Sequence, residues 1–559
     1  MSEYEVKLAV PAAARQGLLR ELSEAAVKTV PLHAIYFDTP SGALSGRQVS
    51  LRVRREGDDW VQTLKAPGDS TLDRFEDNVP LGAATSRKAP PRADLGRHTD
   101  ARAADFIRSA SDQTEDDALQ PVFEVKVERR VQRIERSGSV VELAFDEGEL
   151  LAQGRTAPVC ELELELLEGD RQELLMLARR WRMQWDLWLS TRSKAQRGQR
   201  LAAGELFGEP VNARPPVLAH KKPTQGEFLG AVLDACLQQV LANAGEIAAG
   251  SRADEHIHQL RVGLRRLRTA LRELPALRNA GEAVEPALLG VFRTLGEWRD
   301  RSHVLRTIEP KIEAAGARPV RFPAGFHEDR DPAVMVHAPT FQDALLRLLA
   351  LAETVREDDR KGVRAMVSTR LDRLHRQVCE DGARFTRLTE ERQHSVRKRL
   401  KRLRYLGEFV APLYPEKAVE RYLKALKPAQ DALGEYNDEV MAASFYRELA
   451  DTQPEARFAV TLLEARRPME AKACRKALER LADARPVKPC ARTAGAALPV
   501  GSRAARDQAR VQAGARGADR LGAKPGLAID PGSHGPQEAP DGGELEGGSD
   551  YVHGAPPSA

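Results

Sequence analysis

The N-terminal part of the chain is a series of short segments in which apolar and polar residues alternate. Up to about residue 204 these segments read EYEVKLAV, HAIYFDT, VSLRVRR, WVQTLKA, FEVKVERRV, SVVELAFD and CELELELL, and Gly, Pro and Asp separate them. Alternation with a period of two is typical of antiparallel β-strands. Residues 1–204 are therefore predicted to form a β-rich domain.

A different pattern, with apolar residues at helical spacing, follows a connection that contains several prolines. Residues 205–224 are predicted to be a linker, and residues 225–482, rich in Leu, Ala, Arg and Glu, are predicted to be helical. The last part, residues 483–559, is rich in Gly and Pro and has Tyr551 as its one aromatic residue. Because such a composition buries too little apolar surface to offset the cost of ordering, we expect this tail to be disordered.

The overall composition is that of a globular protein with nearly balanced charge. Hydrophobic residues make up 42% of the chain and charged residues 30%, with a formal net charge of +4. The five cysteines contain no C-x-x-C pair, which argues against a disulfide framework or a structural zinc site. With no signal-peptide pattern and no long uncharged apolar stretch, the chain is expected to be cytoplasmic and not a membrane protein.

The polar faces of the predicted strands carry like charges at successive positions. Carboxylates two residues apart on a strand lie within about 7 Å, where their repulsion is on the order of 2 kcal/mol at an effective dielectric near 20. A solvated sheet face is the alternative for any single strand. Taken together, acidic faces indicate a hard metal ion and basic faces indicate phosphate oxygens, and in a closed barrel both would face one lumen. The residues concerned are Glu3, Glu5 and Lys7, Arg52 and Arg54, Thr63 and Lys65, Arg74 and Glu76, and Glu161, Glu163 and Glu165.

Eight ordered blocks of this region resemble the CYTH domain, the triphosphate tunnel metalloenzyme family. The blocks are an opening ExExK, the run from IYFDTP to SLRVRR, WVQTLKAPG, RFE, PVFEVKVER, VELAFDEG, CELELEL and SKAQRG. The resemblance implies an eight-stranded antiparallel β-barrel around a charged tunnel. Members of the family hydrolyse inorganic triphosphate, nucleoside triphosphates or thiamine triphosphate, and a few cyclise ATP.

The resemblance also implies a role for each charged residue of the tunnel. Glu3, Glu5 and Lys7 are the expected catalytic residues, and the expected substrate ligands are Arg52, Arg54, Lys65, Arg74, Arg129 and Lys194. The expected ligands of Mg²⁺ or Mn²⁺ are Glu3, Glu5, Glu76, Asp146, Glu161, Glu163 and Glu165. Which two of the three late glutamates contact metal stays open.

One basic pattern occurs twice in the helical half. His258 is followed by arginines three, seven and ten residues later, and the pattern recurs at His394 with Arg397, Lys401 and Arg404. This repetition predicts two related bundles, at about residues 225–315 and 341–482. At about 100° per residue the pattern falls within an arc of about 80°, and Ile257 and the leucines that follow it form a neighbouring apolar stripe. No acidic residue interrupts either pattern, so we interpret the stripe as unpaired cations that bind a polyanion rather than as a solvated face.

The basic stripe resembles the CHAD domain, an α-helical family that commonly follows CYTH and binds inorganic polyphosphate. The matching residues are His258, Arg261, Arg265, Arg266, Arg268, His394, Arg397, Lys398, Lys401 and Arg404. Nucleic acid is not favoured as a partner, because aromatic residues make up only 5% of the chain.

The fold expected from both resemblances is a multidomain chain, with an antiparallel β-barrel, then a duplicated helical domain and a disordered tail. The expected function is metal-dependent hydrolysis of inorganic triphosphate to pyrophosphate and phosphate, with polyphosphate bound by the helical domain and association with polyphosphate granules. The alternatives are a polyphosphate-binding scaffold with little turnover, a class IV-type adenylate cyclase and a thiamine triphosphatase.

Overall fold

The computed structural model describes residues 2–24, 27–83, 90–111, 119–318, 320–321, 331–484 and 486. Almost all of the tail predicted to be disordered lies outside these residues. The strands of the described part are β1 Ser2–Ala9, β2 Lys28–Asp38, β3 Ser50–Glu56, β4 Asp59–Pro67, β5 Asp73–Ala83, β6 Gln120–Arg136, β7 Ser139–Ala152, β8 Arg155–Glu168 and β9 Trp188–Leu189. The helices among and just after these strands are α1 Ala12–Glu24, α2 Ala101–Ser111, α3 Arg171–Trp185 and α4 Lys194–Ala203.

Eight of the strands close into an antiparallel barrel. Neighbouring strands follow the order β5-β4-β3-β2-β6-β7-β8-β1, and a further pairing of β1 with β5 closes the ring. Ser2 pairs with Phe75 on one side of β1, and Val6 pairs with Leu164 on the other side. The predicted eight-stranded antiparallel barrel is confirmed.

Strand alternation separates an outer apolar layer from a charged lumen. Along β1, Tyr4, Val6 and Leu8 are buried in a core that they share with leucines of α1 and α3. The intervening side chains, Glu3, Glu5 and Lys7, point to the opposite side of the strand because successive residues of a strand alternate between its faces. Helices α1 and α3 therefore pack on the outside of the barrel at β1, and Glu3, Glu5 and Lys7 face its interior.

Ten further helices form the second half of the described chain. Their bounds are α5 Gln225–Ala248, α6 Asp254–Glu273, α7 Arg278–His303, α8 Glu309–Ala314, α9 Pro332–His337, α10 Pro339–Arg356, α11 Val363–Ala383, α12 Glu390–Phe409, α13 Glu416–Leu449 and α14 Ala456–Ala482. None of the described helices has the length and apolar character needed to cross a bilayer. The prediction of an all-helical part after the barrel is confirmed, whereas the limits of the linker and of the two repeats stay predictions.

Helix α6 shows how the apolar stripe organises this part. Ile257 and Leu260 are fully buried, as are the leucines that continue the stripe. The two helices that carry the repeated basic pattern, α6 and α12, contact each other. Arg402 of α12 lies 3.2 Å from the carboxylate of Glu273 in α6, and Arg266 of α6 lies 3.7 Å from Glu408 in α12.

The barrel and the helices belong to one compact unit and meet along α3, β9 and α10. The backbone N–H of Leu189 donates to the side chain of Gln342 over 2.8 Å, and Arg179 forms an ion pair with Asp343. The side chain of Gln172 donates to the carbonyl of Ala350 over 2.9 Å. Directional polar contacts therefore fix α10 against the barrel.

Candidate functional site in the barrel lumen

Strand register sets which charged side chains meet inside the barrel. Asp146 of β7 pairs with Glu161 of β8 on one side and with Arg129 of β6 on the other. Next along β8, Glu163 pairs with Lys7 of β1. Cross-strand partners on one face lie close enough for their side chains to interact. The barrel therefore brings residues from distant parts of the sequence into one layer.

Three carboxylates form a buried acidic trio, made of Asp146, Glu161 and Glu163. One oxygen from each lies within 4.8 Å of the others. The Lys194 ammonium lies at the centre of the trio, 2.6 Å from Asp146, 2.5 Å from Glu161 and 3.0 Å from Glu163. Burial alone would lower the pKa of Lys194, but the trio raises it above its ordinary value. Lys194 is therefore a charged group held by all three acids.

Two more cations contact the acidic trio. Arg129 donates two hydrogen bonds of 2.7 Å to Asp146 and one of 2.6 Å to Glu163. Lys7 lies 2.9 Å from Glu163. Although burial acts to raise it, the three cations, led by Lys194, hold the pKa of Glu163 well below its ordinary value. Glu163 is thus ionised and lies where the acidic and the basic sides of the lumen meet.

The donor set of the trio fits a hard divalent ion. Opposite ligands of Mg²⁺ are about 4.2 Å apart, since each lies about 2.1 Å from the ion. The separation of up to 4.8 Å within the trio needs only a small closure to reach this value. Carboxylate oxygens are ligands that suit Mg²⁺ and Mn²⁺. Within the described residues, no other group of at least three acidic, His or Cys side chains meets the same distance.

A second acidic group surrounds Lys65, toward the β5 side of the lumen. The Lys65 ammonium lies 2.7 Å from Glu3 and also pairs with Glu76. The amide of Asn78 donates to Glu76 over 2.7 Å. Burial, together with a hydrogen bond and the charge from Glu76, raises the pKa of Glu3 to about 8 against the lowering effect of Lys65. Burial also acts to raise the pKa of Glu76, but Lys65 and the hydrogen bond from Glu3 bring it below its ordinary value. Glu3 is thus the protonated member of the pair.

This pair makes stability depend on pH in a defined direction. A carboxyl group with a raised pKa stabilises the fold fully below pH 4.5, its ordinary pKa. This stabilisation is lost as the pH rises toward 8. For one such group the free energy of unfolding changes by at most about 1.4 kcal/mol per pH unit. The variant Glu3→Gln, which mimics the protonated form, should therefore gain stability relative to the wild type between these pH values. Urea unfolding in EDTA at several pH values measures the difference.

The control for this prediction is Glu149→Gln, which changes an exposed carboxylate on β7. Its unfolding free energy should follow the wild type at every pH. If the unfolding free energies of Glu3→Gln and the wild type change in parallel with pH, Glu3 is not protonated in the native state.

Glu165 lies apart from the acidic trio. It pairs with Glu5 of β1 and with Glu142 of β7, one layer beyond Glu163. Burial raises the pKa of Glu165, whereas Lys7 and Lys65 outweigh burial and lower the pKa of Glu5. Of the three late glutamates, the geometry therefore groups two with Asp146 and the third with Glu5.

Guanidinium groups line the other side of the lumen. Arg52 donates to the hydroxyl of Tyr36 over 3.5 Å, and its buried Nε makes no hydrogen bond with the described part of the chain. Arg54 donates to Glu56 over 2.6 Å. Burial and the charges of Arg52 and Arg129 lower the pKa of Arg54. Arg52, Arg54 and Arg129 are thus like charges within reach of one another, and an anion placed among them would be stabilised.

Arg74 occupies a different position from the other predicted substrate ligands. It pairs with Glu3 across the β1–β5 junction, but its guanidinium donates to the backbone carbonyls of Thr71 and Asp73 over 3.4 and 2.9 Å. Arg74 is therefore hydrogen-bonded to the start of β5 and to the connection before it, and its charge joins Lys7 and Lys65 in lowering the pKa of Glu5 against the effect of burial.

The basic stripe of the helical part is also assembled as a cluster. Arg261, Arg265 and Arg268 of α6 lie over the ring of Phe292 in α7, with distances of 5.0, 5.2 and 5.4 Å to its centroid. In α12, the ring of His394 lies 3.1 Å from the side-chain oxygen of Asn437 in α13. The pattern read from the sequence thus corresponds to side chains on the faces of α6 and α12 that meet α7 and α13.

The interpretation of these cations as unpaired is wrong. Arg268 donates to Glu285 of α7 over 2.9 Å, Arg397 lies 3.8 Å from Asp438 of α13, and Arg404 lies 2.7 Å from Glu408. His258, Arg261, Lys398 and Lys401 also have interactions within the chain. Most of the acids belong to other helices, and Glu408 follows the pattern on α12 itself. The absence of acids inside the repeated pattern therefore does not show that the cations lack partners.

Arg266 also differs from the predicted binding surface. Its side chain is buried and donates to Gln239 of α5 over 3.1 Å and to the carbonyl of Arg214 over 2.8 Å. The guanidinium also lies 5.4 Å from the centroid of Phe409. These contacts make Arg266 part of the packing between α5, α6 and α12.

Both halves of the chain match known family models. Residues 1–199 match the model of the CYTH domain, and residues 231–447 match the model of the CHAD domain. The chain contains a CYTH domain followed by a CHAD domain. The lumen described above lies in the CYTH domain, and the basic stripe lies in the CHAD domain.

The chain is similar to a curated protein. An inorganic triphosphatase of Haemophilus influenzae is 27% identical over 219 residues, which cover 38% of this chain and 58% of the relative. The chain thus spans less than two thirds of that protein.

Solved structures resemble the two domains separately. The CHAD domain of Ricinus communis has a TM-score of 0.40 at 26% identity, covering 50% of this chain and 99% of its own. A putative adenylyl cyclase of Hippeastrum, described as having a dominant triphosphatase activity, has a TM-score of 0.24 at 20% identity. The match covers 37% of this chain and 97% of that protein.

Two further residues of the CYTH lumen were absent from the sequence prediction. Arg197 of α4 lies 3.3 Å from Glu161, and Tyr36 of β2 contacts Arg52. Arg197 follows Lys194 by three residues, a spacing that places both on one face of a helix. That spacing was a usable signal, whereas the position of Tyr36 depends on the pairing of β2 with β3.

Proposed function

We propose that the chain is a metal-dependent triphosphatase that hydrolyses inorganic triphosphate to pyrophosphate and phosphate in the lumen of its CYTH domain. The observation that carries the proposal is the juxtaposition, inside a closed barrel, of the acidic trio and of the guanidiniums of Arg52, Arg54 and Arg129. The inorganic triphosphatase among the relatives supports the same substrate class.

The basic side of the lumen suits a short phosphate chain. A triphosphate carries about four negative charges at neutral pH. Arg52 and Arg54 are half-buried cations on one strand, and Arg129 and Lys194 contact the trio. The forked N–H groups of the three arginines match phosphate oxygens, so binding would add charge-assisted hydrogen bonds among these like charges. Lys65 would bind the phosphate chain farther along the lumen.

In the proposed reaction, Asp146, Glu161 and Glu163 would hold Mg²⁺ or Mn²⁺ in place of the Lys194 ammonium, which would then bind the phosphate chain. When bound, such an ion polarises phosphate oxygens and lowers the pKa of water. Lys7, fixed against Glu163 at 2.9 Å, donates to the phosphoryl group, and ionised Glu5 orients the attacking water. Glu3, Glu76 and Glu165 complete the acidic end of the lumen. Catalysis then consists of positioning and of stabilising charge.

The direct test is a substrate panel with the purified full chain. Tripolyphosphate, ATP, thiamine triphosphate and long polyphosphate are each incubated with Mg²⁺ or Mn²⁺, and phosphate and cyclic AMP are measured. We expect the highest kcat/KM with tripolyphosphate and loss of activity in EDTA. Formation of cyclic AMP from ATP would instead indicate an adenylate cyclase. Faster phosphate release from thiamine triphosphate than from tripolyphosphate would indicate a thiamine triphosphatase.

We further propose that the CHAD domain binds inorganic polyphosphate and brings the protein to polyphosphate granules. The supporting observation is the group of three arginines around Phe292, to which His258 and the α12 residues His394, Arg397, Lys398, Lys401 and Arg404 add further donors. Polyphosphate would compete for the ion pairs that these cations now make with acids of other helices. Competition between polyphosphate and duplex DNA at matched salt tests the preference. Polyphosphate binding without triphosphate turnover would favour the scaffold function.

A further inference from the structure

We propose that Glu246 of the CHAD domain is a positioning residue for Lys194 in the CYTH lumen. This inference rests on the proposed triphosphatase function only for its effect on activity. Glu246 lies on α5, belongs to the helical half of the chain and does not line the lumen. Its carboxylate instead holds the segment that inserts Lys194.

Lys194 is the first residue of α4, so the placement of this helix sets the placement of the ammonium. Ser193 caps the helix, and its hydroxyl accepts from the backbone N–H of Gln196 over 3.1 Å. Because the side chain of a first-turn residue has no preceding turn to brace it, the orientation of Lys194 follows the orientation of α4 as a whole.

One face of α4 lies directly on the barrel. Arg197 contacts Glu161 at 3.3 Å, and the side chain of Gln199 donates to Asp38 over 2.8 Å. Gly198 lies against Phe123, and a Cβ at this position would come within 2.1 Å of the ring. This close approach requires glycine and leaves α4 little freedom on the barrel side.

The other face of α4 is held by Glu246. One carboxylate oxygen lies 2.5 Å from Arg200, and the other lies 3.5 Å from Arg192. Glu246 itself is only 5% exposed. The two arginines precede and follow Lys194 in the sequence, so a single buried carboxylate of the CHAD domain ties both ends of the inserting segment.

Loss of this carboxylate would leave a cluster of like charges. Burial lowers the pKa of Arg192, and the nearby charges of Arg200 and Arg197 lower it further, whereas Glu246 opposes the change. Without the acid that Arg192 and Arg200 share, these half-buried cations repel each other and the helix moves toward solvent. A displacement of about 1 Å at a catalytic group can lower the rate about 100-fold. The helical domain thereby contributes to the geometry of the tunnel through α4.

The first test measures the accessibility of Lys194 and does not require activity. The full chain in EDTA is treated with an amine-acylating reagent, and modification of Lys194 is followed by mass spectrometry. Lys194 is 9% exposed in the native chain. We expect Glu246→Gln to raise its labelling rate at least about fivefold, because α4 opens locally. The shorter acid in Glu246→Asp should restore part of the protection.

The matched control is Asp343→Asn. This substitution also removes an acid from the contact between the two halves, where Asp343 pairs with Arg179 of α3, but it does not touch α4. We expect Lys194 labelling and kcat/KM for tripolyphosphate to stay at wild-type values. The same increase in Asp343→Asn as in Glu246→Gln would overturn the proposal, because it would reflect general loosening.

The second test measures turnover. Glu246→Gln should lower kcat/KM for tripolyphosphate about 10- to 100-fold, with partial recovery in Glu246→Asp. If Glu246→Gln fails to fold, Arg200→Met removes the other half of the ion pair and should give the same increase in labelling. Unchanged labelling in the folded variants overturns the proposal. If the wild type does not turn over tripolyphosphate but Glu246→Gln still increases Lys194 labelling, the positioning role is supported and the proposed function is rejected.

Discussion

Replacing Glu163 by Gln is expected to lower kcat/KM for tripolyphosphate by at least about 100-fold and to weaken Mn²⁺ binding by a similar factor. Glu163 is the member of the acidic trio that also contacts Arg129 and Lys7. The neutral amide keeps the shape of the side chain but removes the negative charge. The variant therefore loses a proposed metal ligand and the anchor of two proposed substrate cations at once. Steady-state kinetics and calorimetric titration with Mn²⁺ measure the two effects.

The control for Glu163→Gln is Glu168→Gln, the same substitution at the exposed end of β8. It should leave both kcat/KM and the Mn²⁺ dissociation constant unchanged. Near-normal activity of a folded Glu163→Gln protein would mean that the acidic trio is not the metal site. Weak Mn²⁺ binding with normal activity would place the reaction elsewhere in the lumen.

The charged lumen was predictable because its residues alternate with apolar ones. Glu163 follows Leu162 and precedes Leu164, and both leucines are fully buried. Which of the three glutamates of β8 join Asp146 in the acidic trio was not predictable. Glu161, Glu163 and Glu165 share one face at equal spacing, and only strand register assigns the first two to the layers that contain Asp146 and Lys7. Register depends on long-range pairing, which the local pattern does not contain.

The helical half shows a similar limit. Helical spacing correctly identified the buried stripe that begins at Ile257 and Leu260. It gave no information about which acids approach from other helices, so Glu285 and Asp438 were missed as partners. Arg266 lies off both stripes of α6, and its burial follows from contacts with α5 and α12. Periodicity describes one helix, whereas ion pairs depend on how several helices pack.

The variant Lys194→Met is expected to be about 3–5 kcal/mol less stable than the wild type in EDTA. The Lys194 ammonium lies within 3.0 Å of one oxygen from each member of the acidic trio. Methionine fills most of the space but leaves these buried carboxylates short of a cation. Because a divalent ion at the trio supplies the missing charge, millimolar Mg²⁺ should restore most of the lost stability. Urea unfolding with EDTA and with Mg²⁺ measures both values.

The comparison that isolates this effect is Lys126→Met. Lys126 is an exposed lysine of β6 whose ammonium lies 3.4 Å from Glu124. Since surface ion pairs contribute at most about 1 kcal/mol, this variant should unfold like the wild type with or without Mg²⁺. An equal loss of unfolding free energy in the two variants would show that removal of a lysine side chain, rather than of a buried charge, causes the loss of stability. A Lys194→Met protein that Mg²⁺ fails to stabilise would show that the trio does not accept a divalent ion, because the competing ammonium is already removed.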